Sequence, residues 1–306
     1  MNKLLEQAIE QAQKMLEQSK DWQQTYERIS KTLTDNKTVL DQFYKQVKNY
    51  EAIQFYLSDV PSTPADTILI QARYQGQPIA DISISTEETT ISTKQHNENN
   101  KKVYACDIQL EGEELNTKDT NKFLEFFNKE ISPKGKIDEQ THLNSMLLQE
   151  FAKTSSYDKL LTGIQPIKYG NLFYPIPIIL NPKEEHGYID ILTRTKVRKL
   201  TIIETLTEKA TPEMILTNAT SKAIFLLNLL HTEQGQQWYK IMGFHGRVTP
   251  HLTIKVCIAV PKQLVNKCKK FEPFELRAGA DSIEYHYMSY DIDGAKITKI
   301  DTTLNE

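Results

Sequence analysis

Gly187-Tyr188-Ile189-Asp190-Ile191-Leu192 and Leu200-Thr201-Ile202-Ile203-Glu204 read as two adjacent strands, joined by the short basic turn Thr193-Arg194-Thr195-Lys196-Val197-Arg198-Lys199. The first run alternates. Tyr188, Asp190 and Leu192 point one way, and Ile189 and Ile191 the other. The second is a buried apolar run that ends on a carboxylate, Glu204. Pairing the two strands brings Asp190 and Glu204 together. Two carboxylates so placed repel each other unless a cation lies between them. A hard divalent ion such as Mg²⁺ is held by one or two such oxygens, together with water and a substrate phosphate.

This pattern, Gly-x-Ile-Asp, a turn, an apolar strand and then Glu, resembles the core of the PD-(D/E)xK (restriction-endonuclease-like) nuclease superfamily. The resemblance spans roughly residues 137 to 260. It implies that Asp190 and Glu204 bind Mg²⁺ or Mn²⁺ and that a Lys two residues beyond the Glu helps to activate water. Here the triplet is Glu204-Thr205-Leu206, so Leu206 stands where the superfamily has Lys. Lys222 and Lys209 are the candidates to stand in for it.

Outward from this pair, a helix is expected from about Asp138 to Lys153, with Leu143, Met146, Leu147 and Phe151 as its buried stripe. Glu139 lies beside that stripe and, by the resemblance, would complete the metal site, with Glu150 as the alternative. Residues 163 to 180 carry prolines that restrict them to an edge strand or an extended loop. After Glu204, Thr211 and Pro212 mark a helix start. That helix runs to about His231, with Ile215, Ala219, Ala223, Leu226, Leu227 and Leu230 facing inward. Asn218 and Lys222 lie one turn apart on it and share a face. The loop Gly243–His251 gathers His245, Arg247 and His251. Two histidines without a neighbouring carboxylate make a poor metal site, whereas Arg247 suits a phosphate. Leu252–Val260 is a buried strand, Ile283–Tyr290 an alternating one, and Lys296–Ile300 a short last one.

Residues 1 to 57 read as helical, with apolar stripes at Leu4, Leu5, Ala8, Ala12, Met15 and Leu16, at Trp22, Tyr26, Ile29 and Leu33, and at Leu40, Phe43, Tyr44, Val47, Tyr50 and Ile53. An antiparallel hairpin or an arm that forms a homodimer would use such stripes. After Pro61-Ser62-Thr63-Pro64, an antiparallel meander is expected at 68–74, 79–84, 89–93 and 103–108. A helix over about 117–131, packing Phe123, Phe126, Phe127 and Ile131, follows it. Ser132–Lys136 is the candidate boundary. The expectation is an α+β chain: an N-terminal helical and antiparallel-sheet domain, 1–132, then a restriction-endonuclease-like mixed sheet flanked by helices, 133–306.

Composition narrows the function. With 37 basic and 40 acidic side chains the formal charge is −3, so any attraction for nucleic acid must come from a local basic stripe. Cys106, Cys257 and Cys268 form no CxxC pair, which points to a reducing compartment, and the expected location is the cytoplasm. The longest apolar run, Ala223–Leu230, is far too short to cross a bilayer. No P-loop, GxGxxG, HExxH or GxSxG motif is present. Three functions compete: a metal-dependent nuclease acting on DNA or RNA, a degenerate nuclease fold kept for binding nucleic acid or protein, and an unrelated α+β interaction protein with incidental carboxylates.

Overall fold

The computed structural model describes residues 2–18, 22–47, 53–58, 67–84, 89–93, 138–155, 157–178, 187–195, 199–244, 248–268 and 272–304. Helices α1 (Asn2–Gln18), α2 (Trp22–Asp35) and α3 (Lys37–Val47) come first, then strands β1 (Ile53–Ser58), β2 (Ile68–Tyr74), β3 (Gln77–Ile84) and β4 (Thr89–Thr93). Helix α4 (Glu139–Ala152) leads to the short strands β5 (Ile164–Pro166), β6 (Lys168–Tyr169), β7 (Leu172–Phe173) and β8 (Ile176–Ile178). Next are β9 (Gly187–Ile189), β10 (Ile191–Thr195) and β11 (Leu200–Thr205), then helices α5 (Pro212–Leu230) and α6 (Glu233–Ile241). The chain closes with β12 (Thr253–Pro261), a 3-10 helix (Lys262–Cys268), β13 (Phe274–Ala278), β14 (Asp281–Asp293) and β15 (Lys296–Thr302). The architecture is mixed α+β. The expected strand at 103–108, the helix at 117–131 and the boundary at 132–136 lie outside the described residues. Among the described residues no helix is long and apolar enough to cross a membrane.

The chain forms two compact units that interleave along the sequence. One comprises residues 1–27, 143–167 and 175–306, the other 28–142 and 168–174. The first is built on a mixed sheet in the order β13-β14-β12-β11-β10-β5, with β15 also on β14. β5, β10 and β11 pair antiparallel, and β11 and β12 pair parallel, with α5 between them in sequence. Along the chain seven strands separate α4 from α5, and of these β5, β10 and β11 belong to this sheet. β11 is buried at every position, because helices cover both faces of the sheet. Ile202, Val256 and Tyr285 lie side by side on one face. There Thr220 of α5 meets the Tyr285 hydroxyl at 2.7 Å. On the opposite face Thr205 Oγ1 donates to Asn144 Oδ1 of α4 at 2.6 Å.

The sequence fixes α5 locally. Thr211 Oγ1 accepts from the Met214 amide at 3.3 Å, and Pro212 occupies the first turn. The helix is buried nearly all round, since it lies on the sheet and also carries α1. The α1 stripe Leu5, Ala8, Ile9, Ala12 and Leu16 is buried in this way. Trp22 and Tyr26 pack at a tilt against Phe225, with ring centroids 5.6 and 5.8 Å apart. At the far end of α5, His231 Nε2 meets Asp281 Oδ2, and Asp281 Oδ1 accepts from the Leu252 amide, both at 2.8 Å.

In the second unit the sheet order is β4-β3-β2-β1-β7-β6. The antiparallel pairing of β2, β3 and β4 follows the expected meander. One expectation fails here: Ile53 opens strand β1 and does not continue a helix. Ile53-Gln54-Phe55-Tyr56-Leu57 pairs with β2 along its length, and Phe55 packs on Phe43 of α3 with ring centroids 5.5 Å apart. A short apolar run fits either period, and the neighbouring strand decides. The β2–β3 turn, Gln75-Gly76, has φ of 49° and 83°, the left-handed geometry of a two-residue hairpin turn. A Cβ on Gly76 would stand 2.3 Å from the Thr141 carbonyl oxygen. Gly76→Ala is therefore expected to destabilise the protein by about 1–3 kcal/mol, read as a lower urea midpoint. An unchanged midpoint would mean that this turn does not sit against α4.

Candidate functional site

The run Gly187–Leu192 is not one strand. It bends at Asp190, with β9 on one side and β10 on the other. Ile189 pairs with Ile176 in a separate two-stranded ribbon, while Leu192 pairs with Ile202. Ile189 and Ile202 are thus on different, unpaired strands, contrary to the expectation. The alternation reads straight through Asp190 because a period of two carries no mark of where a strand changes partner. Leu192, expected on the same side as Asp190, is buried.

Asp190 itself lies in neither strand. Ile191 faces Ile203 and Leu192 faces Ile202, and beyond that ladder the charge of Asp190 bears on the Glu204 carboxyl. Glu204 is the last residue but one of the buried strand, with its side chain 9% exposed. Lys222, three turns into α5, reaches down to it, and its Nζ lies 2.6 Å from Oε1. Burial pushes the Glu204 carboxyl above the usual carboxylate range, the Lys222 ammonium pulls it down, and the charge on Asp190 pushes it further up. Among the described residues Lys222 is the hydrogen-bond partner of this carboxylate, through Oε1 alone.

The other candidates are placed as follows. Leu206 is wholly buried and its amide bonds to the Ala259 carbonyl at 2.9 Å, so the superfamily's Lys position is filled by core. Lys209 is exposed in the turn after β11. Asn218 is exposed one turn before Lys222. Glu139 stands in the first turn of α4, which belongs to the second unit. Glu150 is buried and spent locally: it pairs with Lys153, and its Oε1 accepts from the Leu160 amide at 2.7 Å. That bond ties down the chain leaving α4. His251 is exposed, with Nδ1 3.3 Å from the Ala280 carbonyl oxygen. His245 and Arg247 lie outside the described residues. Among the described residues no group of three or more His, Cys, Asp or Glu side chains could hold a metal ion. Cys257 and Cys268 are free thiols, both buried.

A second cluster escaped the reading of the sequence. On the face opposite Glu204, Thr201, Lys255 and Glu284 lie side by side, and Cys257 and His286 follow. Glu284 takes Lys199 Nζ at 3.0 Å, and it has Lys255 Nζ at 3.9 Å and His286 Nε2 at 3.6 Å. Burial alone would raise the Glu284 carboxyl, but Lys199, Lys255 and His286 outweigh it and hold it low. His286 is pushed down by burial and by Lys255, against the Thr303 carbonyl and Glu284. The signal was there, as charges at alternate positions of otherwise apolar strands. Parallel pairing, which brings them together from distant segments, is not written in either strand.

The low His286 pKa has a consequence for stability. The folded protein binds fewer protons here than the unfolded chain, so this stabilisation is complete above the ordinary value of 6.5 and is lost as pH falls through the folded value. Glu284 acts in the same direction, from its ordinary 4.5 downward. His286→Gln is expected to flatten the decline in urea stability between pH 7 and 5, by up to about 1.4 kcal/mol per pH unit. A decline of the same slope in the variant would place the titration elsewhere.

No protein-family model matches this chain, and no curated protein and no solved structure matches it.

Proposed function

We propose that this chain is a divalent-metal-dependent nuclease with a PD-(D/E)xK-like core, hydrolysing phosphodiester bonds of DNA or RNA. The observation that carries the reading is the Lys222–Glu204 pair near the end of β11, with the charge of Asp190 acting on the same carboxyl. The superfamily it resembles needs two carboxylates and one lysine at a strand end. Here the lysine comes from the following helix, because Leu206 occupies the usual place. Two carboxylate side chains on one face suit Mg²⁺ or Mn²⁺, which keep several waters and take few protein oxygens. A cation held there would supply Lewis acidity and lower the pKa of a water. Asp190 and Glu204 are the residues that would hold it. Lys222 holds Glu204 in place and, at a half-buried position, offers an ammonium to a phosphate oxygen or to the attacking water. Exposed Asn218, one turn along the same helix, is placed to contact substrate, and Arg247 is proposed as a phosphate contact. The two buried free thiols suit the cytoplasm.

A second reading has its own support. The described residues bring no third ligand to Asp190 and Glu204, and Lys222 already neutralises Glu204. A nuclease fold that has lost its chemistry and binds nucleic acid or protein would carry such a pair as an internal ion bridge. Digestion of single- and double-stranded DNA and RNA with Mg²⁺ or Mn²⁺ separates the two. The nuclease reading expects cleavage that chelator abolishes. Intact substrate under every metal, with retention on one of these polymers, would favour binding alone.

A further inference from the structure

We infer that the polar sheet face formed by Thr201, Lys255, Glu284 and His286 is a binding site for a phosphate group that still carries a hydroxyl, as inorganic phosphate or as a phosphomonoester. This face lies on the other side of the sheet from Glu204 and needs no metal, so it stands or falls apart from the nuclease reading. Buried polar atoms without partners mark it. Thr201 is wholly buried, and among the described residues its Oγ1 has no hydrogen-bond partner. His286 Nε2 is buried and has none either. Glu284 Oε2 stands 3.6 Å from His286 Nε2 and 3.9 Å from Lys255 Nζ, both beyond hydrogen-bond length. A buried polar group left unpaired costs stability. Val at position 201 would avoid that cost without changing the shape, yet the chain keeps the hydroxyl.

The pattern of donors and acceptors selects the ligand. His286 Nδ1 lies 3.1 Å from the Thr303 carbonyl oxygen. A carbonyl only accepts, so Nδ1 carries the hydrogen. The neutral ring, which burial favours, then presents a lone pair at Nε2. Two acceptors, Nε2 and Glu284 Oε2, thus face each other, and a hydroxyl hydrogen placed between them relieves the repulsion. Donors stand beside them: the Lys255 ammonium, the Thr201 hydroxyl, and Lys199, whose Nζ is on Glu284 Oε1 at 3.0 Å. On the neighbouring strand Arg277 pairs with Ser282, and Glu275 with Glu284. With His286 neutral the face holds three cations against two carboxylates. Ammonium and hydroxyl donors suit anionic oxygens, and the paired acceptors suit a P–OH. A phosphate group near neutral pH offers both. Sulfate is fully ionised there, and a phosphodiester has no hydroxyl left. The way in runs past Lys199 and Glu284, whose side chains are 40% and 27% exposed, to Lys255 at 6%.

The test is calorimetric titration and melting of the full chain without metal, at about pH 6.5, close to the second pKa of a phosphate ester. Inorganic phosphate, methyl phosphate, dimethyl phosphate and sulfate are compared at matched ionic strength. Phosphate or its monoester is expected to bind and to raise the melting temperature, because a ligand of the folded state stabilises it. Whichever of the two binds more tightly tells whether the group is free or carried on an ester. Sulfate and the diester are expected to bind about tenfold or more weakly, the loss of one charge-assisted hydrogen bond. Thr201→Val is expected to weaken phosphate binding about tenfold while melting no lower without ligand. Lys255→Met is expected to weaken it further, and Lys255→Gln removes the same charge should the Met variant fail to fold. Three results would each overturn the site: no binding of either phosphate, equal binding of sulfate, or unchanged phosphate binding by the folded Thr201 and Lys255 variants.

Discussion

Asp190→Asn is expected to abolish metal-dependent cleavage while leaving the melting temperature unchanged or slightly raised. The two effects have one cause. The charge of Asp190 disfavours the charged form of Glu204, so without metal the aspartate is a small liability, of the order of 0.2–1 kcal/mol for a like-charge pair. On the proposed reading it would be a ligand once metal is bound. Changing a residue that only supports a metal ligand commonly lowers affinity or activity about 10- to 100-fold. Removing a ligand charge from a two-carboxylate site is expected to cost at least about a hundredfold. Single-turnover cleavage and a melting curve on the same preparation check both halves. Unchanged cleavage would assign the activity to another site. A large fall in melting temperature would mean that Asp190 holds the bend between β9 and β10. Glu204→Gln is the less clean experiment, because it leaves Lys222 half-buried without its charge partner.

Gly235→Ala is expected to destabilise the fold by about 3 kcal/mol or more, the upper range for forcing atoms into a packed site. Gly235 lies in the first turn of α6, where its amide donates to Thr232 Oγ1 at 3.0 Å. A Cβ there would stand 1.7 Å from the Leu229 carbonyl oxygen in the last turn of α5. No rotamer relieves a clash with backbone, so the α5–α6 corner would have to open. The opening would pull on Trp238, which is fully buried and contacts Tyr26 with ring centroids 6.1 Å apart. Helix propensity alone predicts the opposite sign, a gain of about 1 kcal/mol for Ala over Gly. A urea titration decides which wins, and a raised midpoint would contradict this packing.

Much of the first unit is legible because local and tertiary signals agree. Thr211-Pro212 marks the start of α5 by hydrogen-bonding chemistry, and the continuous apolar runs of β11 and β12 match strands covered on both faces. The signals that fail are those that depend on a partner. Ile53 fits the spacing of the helix before it but belongs to a strand made by β2 and β7. Asp190 sits in an unbroken alternation, yet the chain changes sheets there. The site follows the same rule. Asp190 and Glu204 could be paired on paper from one hairpin register. Lys222 could be named as a candidate from its helix, but its meeting with Glu204 depends on the angle at which α5 crosses the sheet. Lys255 and Glu284 remained hidden for the same reason, since parallel neighbours far apart in sequence share no local pattern.

The most direct measurement is the anomalous-scattering map of a crystal soaked in Mn²⁺. A single peak bridging the carboxylates of Asp190 and Glu204 is the expected result. A map without a peak there, with Lys222 still bonded to Glu204 at saturating Mn²⁺, would contradict the metal site and leave the pair as an internal ion bridge.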